Sequence, residues 1–300
     1  MSIKEQLDKL EVNEENIGVL YNYFDSITGN NIPLIHFGLS KGSVFLRQRI
    51  NKENELFTQI SELSYPPADC VKEYGRANVP YNPMFYGSTF GFDFRNELPL
   101  PRILVLLETS SFAKDVEASG IERSTCSKWV AQKDLNLIAL PFSVEYVRPL
   151  NVIKQIQQEW DVQVKKYDGD KRALDLVKYM SDEIAKNYSN NLDYFKIAHF
   201  IYYLMRINLK TKEFDGILYP SVQAGGEGFN VALKPEVVDA YLSFEGASLC
   251  HLAKKGMDMY LKIMNYSKIV GEEIIYVDKE LDLEEEKVFS EYTNGLKFIN

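Results

Sequence analysis

Apolar side chains near the start of the chain recur at the spacing of an amphipathic helix. Ile3, Leu7 and Leu10 lie three or four positions apart, and the pattern resumes between residues 17 and 21. Side chains at this spacing share one face of an α-helix. Residues 29–33 then interrupt the pattern with the helix-breaking sequence Gly-Asn-Asn-Ile-Pro. The sequence therefore predicts a helical N-terminal extension over residues 1–33.

The following region alternates between strand-like and helix-like patterns. Arg47 and Arg49 lie two positions apart in an apolar run, so a strand would place them on the same face. Glycine, proline, asparagine and tyrosine are concentrated further on, where we expect long loops. In chain order, the patterns predict a strand over residues 43–50, loops over 64–101, a helix over 103–114, and one or two strands around a polar turn over 128–140.

A helical block follows at residues 151–208. Its first apolar stripe consists of Ile153, Ile156, Trp160 and Val164. Asp170 is a suitable N-cap for a second helix, and an aromatic-rich third helix begins near residue 191. No linker rich in glycine, serine or proline flanks the block, so we expect its apolar faces to pack on the sheet.

The C-terminal part returns mainly to strand-like patterns. They predict strands over residues 216–221, 230–233 and 273–277, a charged helix over 249–263, and an acidic block over 278–287 that is either a solvated helix face or a tail. We expect an α+β fold with a mixed sheet and a helical insertion, formed as one unit. Its parts are an N-terminal extension (1–33), a core (34–235) that includes the insertion (151–208), and a C-terminal extension packed on the same unit (236–300).

Composition and charge restrict the function classes. The chain has 300 residues, 34 basic and 43 acidic side chains, and a net charge of −9, which removes the general electrostatic attraction to nucleic acid. No stretch approaches the roughly 18 apolar residues of a membrane span, and the charged start does not fit a secretory signal. Three cysteines without CxxC spacing indicate reduced thiols. We therefore expect a cytoplasmic protein that binds neither membranes nor nucleic acid directly.

Several common catalytic patterns are missing from the sequence. The three histidines, His36, His199 and His251, do not have HxxxH or HExxH spacing, so no metal site is predicted. There is no GxSxG nucleophile motif. The glycine-rich residues 225–228 lack both the Lys-Ser/Thr of a P-loop and the GxGxxG order, and taken alone they predict a turn.

Three polar residues nevertheless stand out from their surroundings. Arg76 follows a glycine in a loop, Glu108 follows the apolar residues 103–107, and Ser221 ends a strand-like segment. Each has an ordinary structural explanation, namely a surface ion pair, a paired carboxylate and a turn-forming serine. A buried carboxylate must be paired, hydrogen-bonded or functional, which makes Glu108 a candidate for chemistry.

Together these fragments resemble the RES family, which is named for an arginine, a glutamate and a serine. The matches occur in family order between residue 34 and about residue 235. They are the first strand around Arg47 and Arg49, the GRxN…Y motif in Gly75, Arg76, Asn78 and Tyr86, the acidic Glu108, the strand segment 129–137, and the DG…YPS…N motif in Asp215, Gly216, Tyr219, Pro220, Ser221 and Asn230.

The resemblance implies a fold similar to that of ADP-ribosyltransferase toxins and NAD+ as a substrate, without a further cofactor. RES proteins degrade NAD+ by glycohydrolysis or phosphorolysis, often as toxins paired with a helix-turn-helix antitoxin, so such a partner is expected as well. Carried over to this sequence, the catalytic residues would be Arg76, Tyr86, Glu108 and Ser221. Residues Arg47, Arg49, Asn78, Asp215 and Asn230 would bind the substrate.

The residue types suit cleavage of the nicotinamide–ribose bond. A carboxylate such as Glu108 can stabilise the oxocarbenium character that develops on the ribose. Arg76 offers a planar, permanently charged donor to the pyrophosphate, and Tyr86 an aromatic face to the nicotinamide. Glu97, in an additional loop after Tyr86, is an alternative to Glu108 as the acidic residue. ADP-ribosyl transfer to a macromolecule and a catalytically silent interaction protein are the alternative functions.

Overall fold

The computed structural model of the chain describes residues 2–29, 31–89, 101–140, 151–186, 188–208, 210–221 and 228–299. The helices are α1 (Ile3–Asp8), α2 (Ile17–Thr28), α3 (Pro101–Thr109), α4 (Ser111–Lys114), α5 (Asn151–Lys166), α6 (Lys171–Ile184), α7 (Phe195–Tyr202), α8 (Pro235–Tyr241) and α9 (Leu283–Thr293). The strands are β1 (Ile35–Leu39), β2 (Val44–Ile50), β3 (Phe85–Thr89), β4 (Ser119–Ala131), β5 (Leu135–Ala139), β6 (Gly216–Pro220), β7 (Phe229–Leu233), β8 (Leu242–Lys255), β9 (Asp258–Val270) and β10 (Glu273–Asp278).

All ten strands belong to one mixed sheet, and the fold class is α+β, as the sequence predicts. The strand order is β1-β5-β6-β7-β3-β2-β4-β8-β9-β10. Within the described ranges, β5 and β6 form the only parallel pair, and every other neighbouring pair is antiparallel. Among the residues that the structure describes, which exclude 90–100, β2 and β3 are paired only at Phe45–Thr89 and Leu46–Ser88. The described sheet therefore has two five-stranded halves that meet through β2 and β3.

Helices cover both faces of the first half of the sheet. One face packs against α1, α2, α6 and α7, with Leu176, Phe200 and Leu204 among the fully buried side chains. The opposite face packs against α8 and against Ile156 of α5. The helical block therefore packs on the sheet as expected, and it contributes to both of its faces. Burying an apolar side chain of this size contributes about 1.5–3 kcal/mol, which holds the block in place.

The second half of the sheet contains the largest error of the sequence analysis. The helix expected over residues 249–263 is wrong, because this segment lies in the long antiparallel strands β8 and β9. The two strands turn at Gly256, whose φ of 61° favours glycine. Lys254 and Lys262, each 2% exposed, are buried although they are charged. Their polar character hides the alternation that normally identifies a strand.

Most of the remaining predicted elements are confirmed. Strands occur at the predicted places around residues 43–50, 128–140, 216–221, 230–233 and 273–277, and the N-terminal extension forms α1 and α2. The loops expected over residues 64–101 are interrupted by strand β3, and the helix expected over 103–114 is divided at Ser110, the N-cap of α4, into α3 and α4. Of the acidic block 278–287, residues 283–287 form the start of α9, whose N-cap is Asp282. Residues 225–227 of the glycine-rich segment lie outside the described residues. In the described part of the chain, no helix is both long enough and apolar enough to cross a membrane.

Candidate functional site

A cavity of about 210 Å³ lies where the two halves of the sheet meet. Strands β2, β3, β6 and β7 contribute to its wall, together with α3 and the loop before β3. The lining residues are Arg47, Gln48, Arg76, Tyr86, Gly87, Ser88, Val105, Glu108, Thr109, Tyr219 and Asn230. Because β3 separates from β2 beyond the pair Leu46–Ser88, the sheet leaves room for polar side chains at this point.

Most of the residues predicted for the site meet at this cavity. Arg76, Tyr86 and Glu108 line it, and Ser221 is hydrogen-bonded to Glu108. Two of the predicted substrate-binding residues, Arg47 and Asn230, line it as well. Each of these six residues lies in a different element or loop, so the fold brings together side chains that are far apart in the sequence.

Glu108 and Ser221 form the acidic part of the site. Ser221 is fully buried, and its Oγ donates a hydrogen bond of 2.6 Å to Oε1 of Glu108. Glu108 lies in the last turn of α3, where the helix dipole disfavours a carboxylate. The buried Leu104 and Leu106 anchor that helix. The carboxylate is therefore held against the cavity by the packing of α3 and by the serine hydroxyl.

Arg76 is held by the end of helix α6. Its Nη1 donates a hydrogen bond of 2.7 Å to the carbonyl oxygen of Ile184 and another to that of Lys186. The guanidinium also lies 5.2 Å from the centre of the Tyr194 ring. Among the described residues no carboxylate forms an ion pair with Arg76, so the explanation of Arg76 as part of a surface ion pair does not hold there.

Tyr86 and Asn78 fix the loop that carries Arg76. The Tyr86 hydroxyl donates to Oδ1 of Asn78 at 2.7 Å and accepts from the backbone N–H of Ala77 at 3.0 Å. Asn78 in turn donates to the carbonyl oxygen of Glu73. Burial raises the pKa of Tyr86, so its hydroxyl stays protonated. Asn78, predicted to bind substrate, therefore shapes the loop and does not line the cavity, whereas the side chain of Tyr86 does.

Arg47 lies beside the gap between β2 and β3. It donates to the carbonyl oxygens of Ser64 and Tyr86, each at 2.9 Å. Burial, and the neighbouring charge of Arg49, lower the pKa of Arg47 to about 10, so it remains charged at neutral pH. Arg49 is bonded to the carbonyl oxygen of Glu62 and lies over the Phe57 ring at 4.2 Å.

Arg49 lies away from the cavity that Arg47 lines. With Arg47 it lines a larger cleft of about 960 Å³, formed by β2, the segment 60–67 and the turn between β9 and β10 among others. The prediction that Arg49 binds the same ligand as Arg76 is therefore not supported by its position.

Asp215 and Glu97 are the last two residues that the sequence predicted for the site. Asp215 precedes β6, at the opposite end of that strand from Ser221. Its Oδ2 accepts a hydrogen bond of 2.7 Å from the backbone of Asn136, which secures the pairing of β6 with β5. Asp215 does not line the cavity, so its contribution is structural. Glu97, the alternative acidic residue, lies outside the described residues.

Four polar lining residues, Gln48, Ser88, Thr109 and Tyr219, were missed by the sequence analysis as functional candidates. Ser88 donates to Oδ1 of Asn230 at 2.6 Å, and Gln48 donates through Nε2 to Ser124 at 2.6 Å. Tyr219 is 4% exposed, and burial together with Tyr86 and Glu108 raises its pKa far above the ordinary value. The sequence could have indicated Tyr219, because side chains two positions apart on a strand share a face and Tyr219 lies two positions before Ser221.

Among the described residues that line the cavity there are two arginines and one carboxylate. Arg47 and Arg76 outnumber Glu108, and this excess of positive charge favours a ligand with anionic groups. No cluster of three or more metal-binding side chains is found within the residues that the structure describes. A scan against models of known protein families finds no match, and a search of curated proteins finds no similar sequence.

Proposed function

We propose that this protein cleaves the nicotinamide–ribose bond of NAD+. The observation that carries the proposal is the meeting of Arg76, Tyr86, Glu108 and Ser221, which are spread over residues 76–221, at one cavity. These are the residues on which the resemblance to the RES family rests. An unrelated fold would have no reason to gather all four, and the excess positive charge suits the pyrophosphate of a dinucleotide.

The size of the cavity suits one half of that substrate. Pockets for drug-sized ligands usually measure about 300–1,000 Å³, and a volume of about 210 Å³ is below that range. The cavity would take the nicotinamide ring and its ribose, while the adenosine half remains outside. Arg76 and Arg47 would then supply charge for the pyrophosphate that joins the two halves.

Glu108 is the residue that we assign to the chemical step. The bond from ribose C1′ to the ring nitrogen breaks, and its electron pair goes to the pyridinium nitrogen, so that nicotinamide leaves as a neutral molecule. Positive charge develops on the ribose, and a carboxylate beside it stabilises that charge. An oxygen of water or phosphate then bonds to C1′. When water is the acceptor, its proton passes to solvent.

The neighbours of Glu108 position it for this step. The hydrogen bond from Ser221 fixes the orientation of the carboxylate, which limits the rearrangement needed in the transition state. Tyr219, kept neutral by its raised pKa, offers a hydroxyl donor to the sugar or phosphate without adding negative charge.

Product analysis tests the proposal. Purified protein is incubated with NAD+ in phosphate-free buffer and in phosphate buffer, and the products are separated by chromatography and identified by mass spectrometry. If water is the acceptor, we expect nicotinamide and ADP-ribose in both buffers. If phosphate is the acceptor, we expect nicotinamide and ADP-ribose 1″-phosphate in the phosphate buffer only. Absence of nicotinamide above a heat-denatured control in both buffers would contradict the proposal.

The cellular role follows from the same chemistry. A protein that degrades NAD+ lowers the NAD+ content of the cell, which is how a toxin held in check by an antitoxin would act. Transfer of ADP-ribose to a macromolecule would instead leave labelled protein or nucleic acid after incubation of a lysate with adenine-labelled NAD+. We expect small-molecule products to carry the label.

A further inference from the structure

The cavity wall contains two primary amides that are each bonded at only one end. Gln48 donates from Nε2 to Ser124, and its Oε1 has no hydrogen-bond partner. Asn230 accepts at Oδ1 from Ser88, and its Nδ2 has no partner. Both side chains are 4% exposed. An unpaired buried polar group destabilises the folded state, so two of them around one cavity need an explanation.

The clustering of these groups is specific to this cavity. Within the described residues five buried side chains have an unpartnered nitrogen or oxygen, namely Gln48, Arg102, Glu122, Asn230 and Tyr276. Only Gln48 and Asn230 line the cavity. One has a free acceptor and the other a free donor, so a ligand that satisfies both must supply one donor and one acceptor.

We propose that Gln48 and Asn230 recognise the carboxamide of the nicotinamide ring. A primary carboxamide has an N–H donor for Oε1 of Gln48 and a carbonyl acceptor for Nδ2 of Asn230. This inference rests on the proposed function, since it places the nicotinamide end of NAD+ in the cavity. It assigns the two amides to specificity, and it leaves the charge-bearing groups Glu108 and Arg76 for the ribose and the pyrophosphate.

The positions of the two amides agree with this division. Gln48 lies on β2 and Asn230 on β7, with β3 between them, so they reach the cavity from the two halves of the sheet. The serine bond at the fixed end of each amide restricts its rotation. Because the site is built around hydrogen-bonding groups, it discriminates against a ring that lacks one of the matching atoms.

Binding of ring fragments isolates the two contacts. Nicotinamide has both the donor and the acceptor, whereas 3-acetylpyridine keeps the carbonyl acceptor and lacks the N–H donor. We expect the wild-type protein to bind nicotinamide about tenfold more tightly in calorimetric titration, the scale of one hydrogen bond. Gln48→Met removes the acceptor for the amide N–H of nicotinamide, so this variant should bind the two rings about equally.

Further variants separate recognition from folding. Gln48→Glu keeps an acceptor at this position and should retain the preference for nicotinamide. Asn230→Leu removes the donor that both rings use, so it should weaken the binding of both rings by a similar factor. Gln163→Met changes an exposed glutamine on α5 and serves as the matched control. Thermal melting of each preparation shows that the variants compared are folded.

The outcomes distinguish this inference from the proposed function. Equal binding of the two rings by the wild type, an unchanged preference in Gln48→Met, or no binding of either ring would overturn the inference, even if the protein cleaves NAD+. A preference that depends on Gln48, without cleavage of NAD+, would support the inference and contradict the proposed function.

Discussion

The side chains of the cavity are anchored by the protein before any ligand is present. Arg76 bonds to two carbonyl oxygens at the end of α6, and Glu108 accepts from Ser221. Tyr86 is bonded on both sides by the loop that contains Asn78. Because these side chains are already ordered, less side-chain entropy is lost when a ligand binds. Substitutions should therefore affect both the geometry of the site and its chemistry.

Replacing Arg76 with lysine tests the planar guanidinium. Lysine keeps the charge, but it cannot donate to the carbonyl oxygens of α6 and to a pyrophosphate with one rigid group. We expect the KM for NAD+ to rise about tenfold or more, with a smaller change in kcat. Arg172→Lys, at an exposed residue of α6, is the control. An unchanged KM in Arg76→Lys would remove Arg76 from substrate binding.

Gly75 tests the shape of the loop before Arg76. A Cβ at this position would lie 2.3 Å from Oδ1 of Asn78 and 3.1 Å from the Tyr86 hydroxyl. Gly75→Ala should therefore break the bond between those two side chains and lower the free energy of unfolding by about 1–3 kcal/mol. At Gly38 a Cβ would meet no atom within 4 Å. Denaturant unfolding should show a clearly smaller loss for Gly38→Ala, and equal losses would contradict this account.

At the scale of elements, the site depends on the ends of helices and strands. Glu108 lies in the last turn of α3, Ser221 follows β6, and the carbonyl oxygen of Ile184 ends α6. Helix α6 belongs to the block at residues 151–208, so the insertion contributes directly to the anchoring of Arg76. Elements that are far along the chain from the residues lining the cavity therefore hold the side chains of those residues.

Weakening the packing of α6 should also disturb the site, because Arg76 is bonded to the end of that helix. Leu176 of α6 is fully buried in the core that the helices share with this face of the sheet, and Leu176→Ala should lower the free energy of unfolding by about 2–5 kcal/mol. Val162 on α5 is 47% exposed, and Val162→Ala should change the free energy of unfolding by less than about 0.5 kcal/mol. Urea unfolding monitored by circular dichroism measures both. A loss below 1 kcal/mol for Leu176→Ala would mean that the block packs only loosely.

The sequence was sufficient for the elements whose apolar pattern is simple and for the residues of recognisable motifs. It predicted β2, α3 and the helices of the block, together with the group of Arg76, Tyr86, Glu108 and Ser221. It failed for β8 and β9, because buried lysines disguise their alternation. It also missed Gln48 as a site residue, because only the splitting of β2 from β3 shows that this side chain meets a cavity.

At the scale of the whole molecule, one sheet joins the described strands of the core and of the C-terminal extension. The segment 236–300 adds α8, three strands and α9, and the N-terminal helices cover the face of the sheet that carries Tyr219. In that covered core lies His199, which is 3% exposed and contacts the Tyr21 hydroxyl through Nδ1 at 2.7 Å. A buried titratable group links the stability of the whole fold to pH.

Burial lowers the pKa of His199 to about 4, whereas a histidine in the unfolded chain titrates near 6.5. Between these values the unfolded chain binds the additional proton, so the free energy of unfolding decreases as pH falls from about 6.5 towards 4. Stability from this group is fully present above pH 6.5. We expect His199 to account for a loss of about 1–2 kcal/mol between pH 7 and pH 5.

His199→Gln measures this contribution. Urea unfolding at pH 7 and pH 5 should show a smaller loss on acidification for the variant than for the wild type. His36→Gln changes an exposed histidine and should leave the wild-type difference intact. If all three proteins lose the same free energy, His199 is not responsible for the acid sensitivity.

The most direct test of the central claim is NAD+ turnover by Glu108→Gln. The substitution keeps the size of the side chain and removes its charge. We expect kcat to fall by roughly 10²-fold or more, with little change in NAD+ affinity, because the charge on the ribose develops in the transition state. The control Glu117→Gln, at an exposed residue, should be as active as the wild type. Full NAD+ cleavage by Glu108→Gln, with only a lowered melting temperature, would contradict the account and make Glu108 a structural residue.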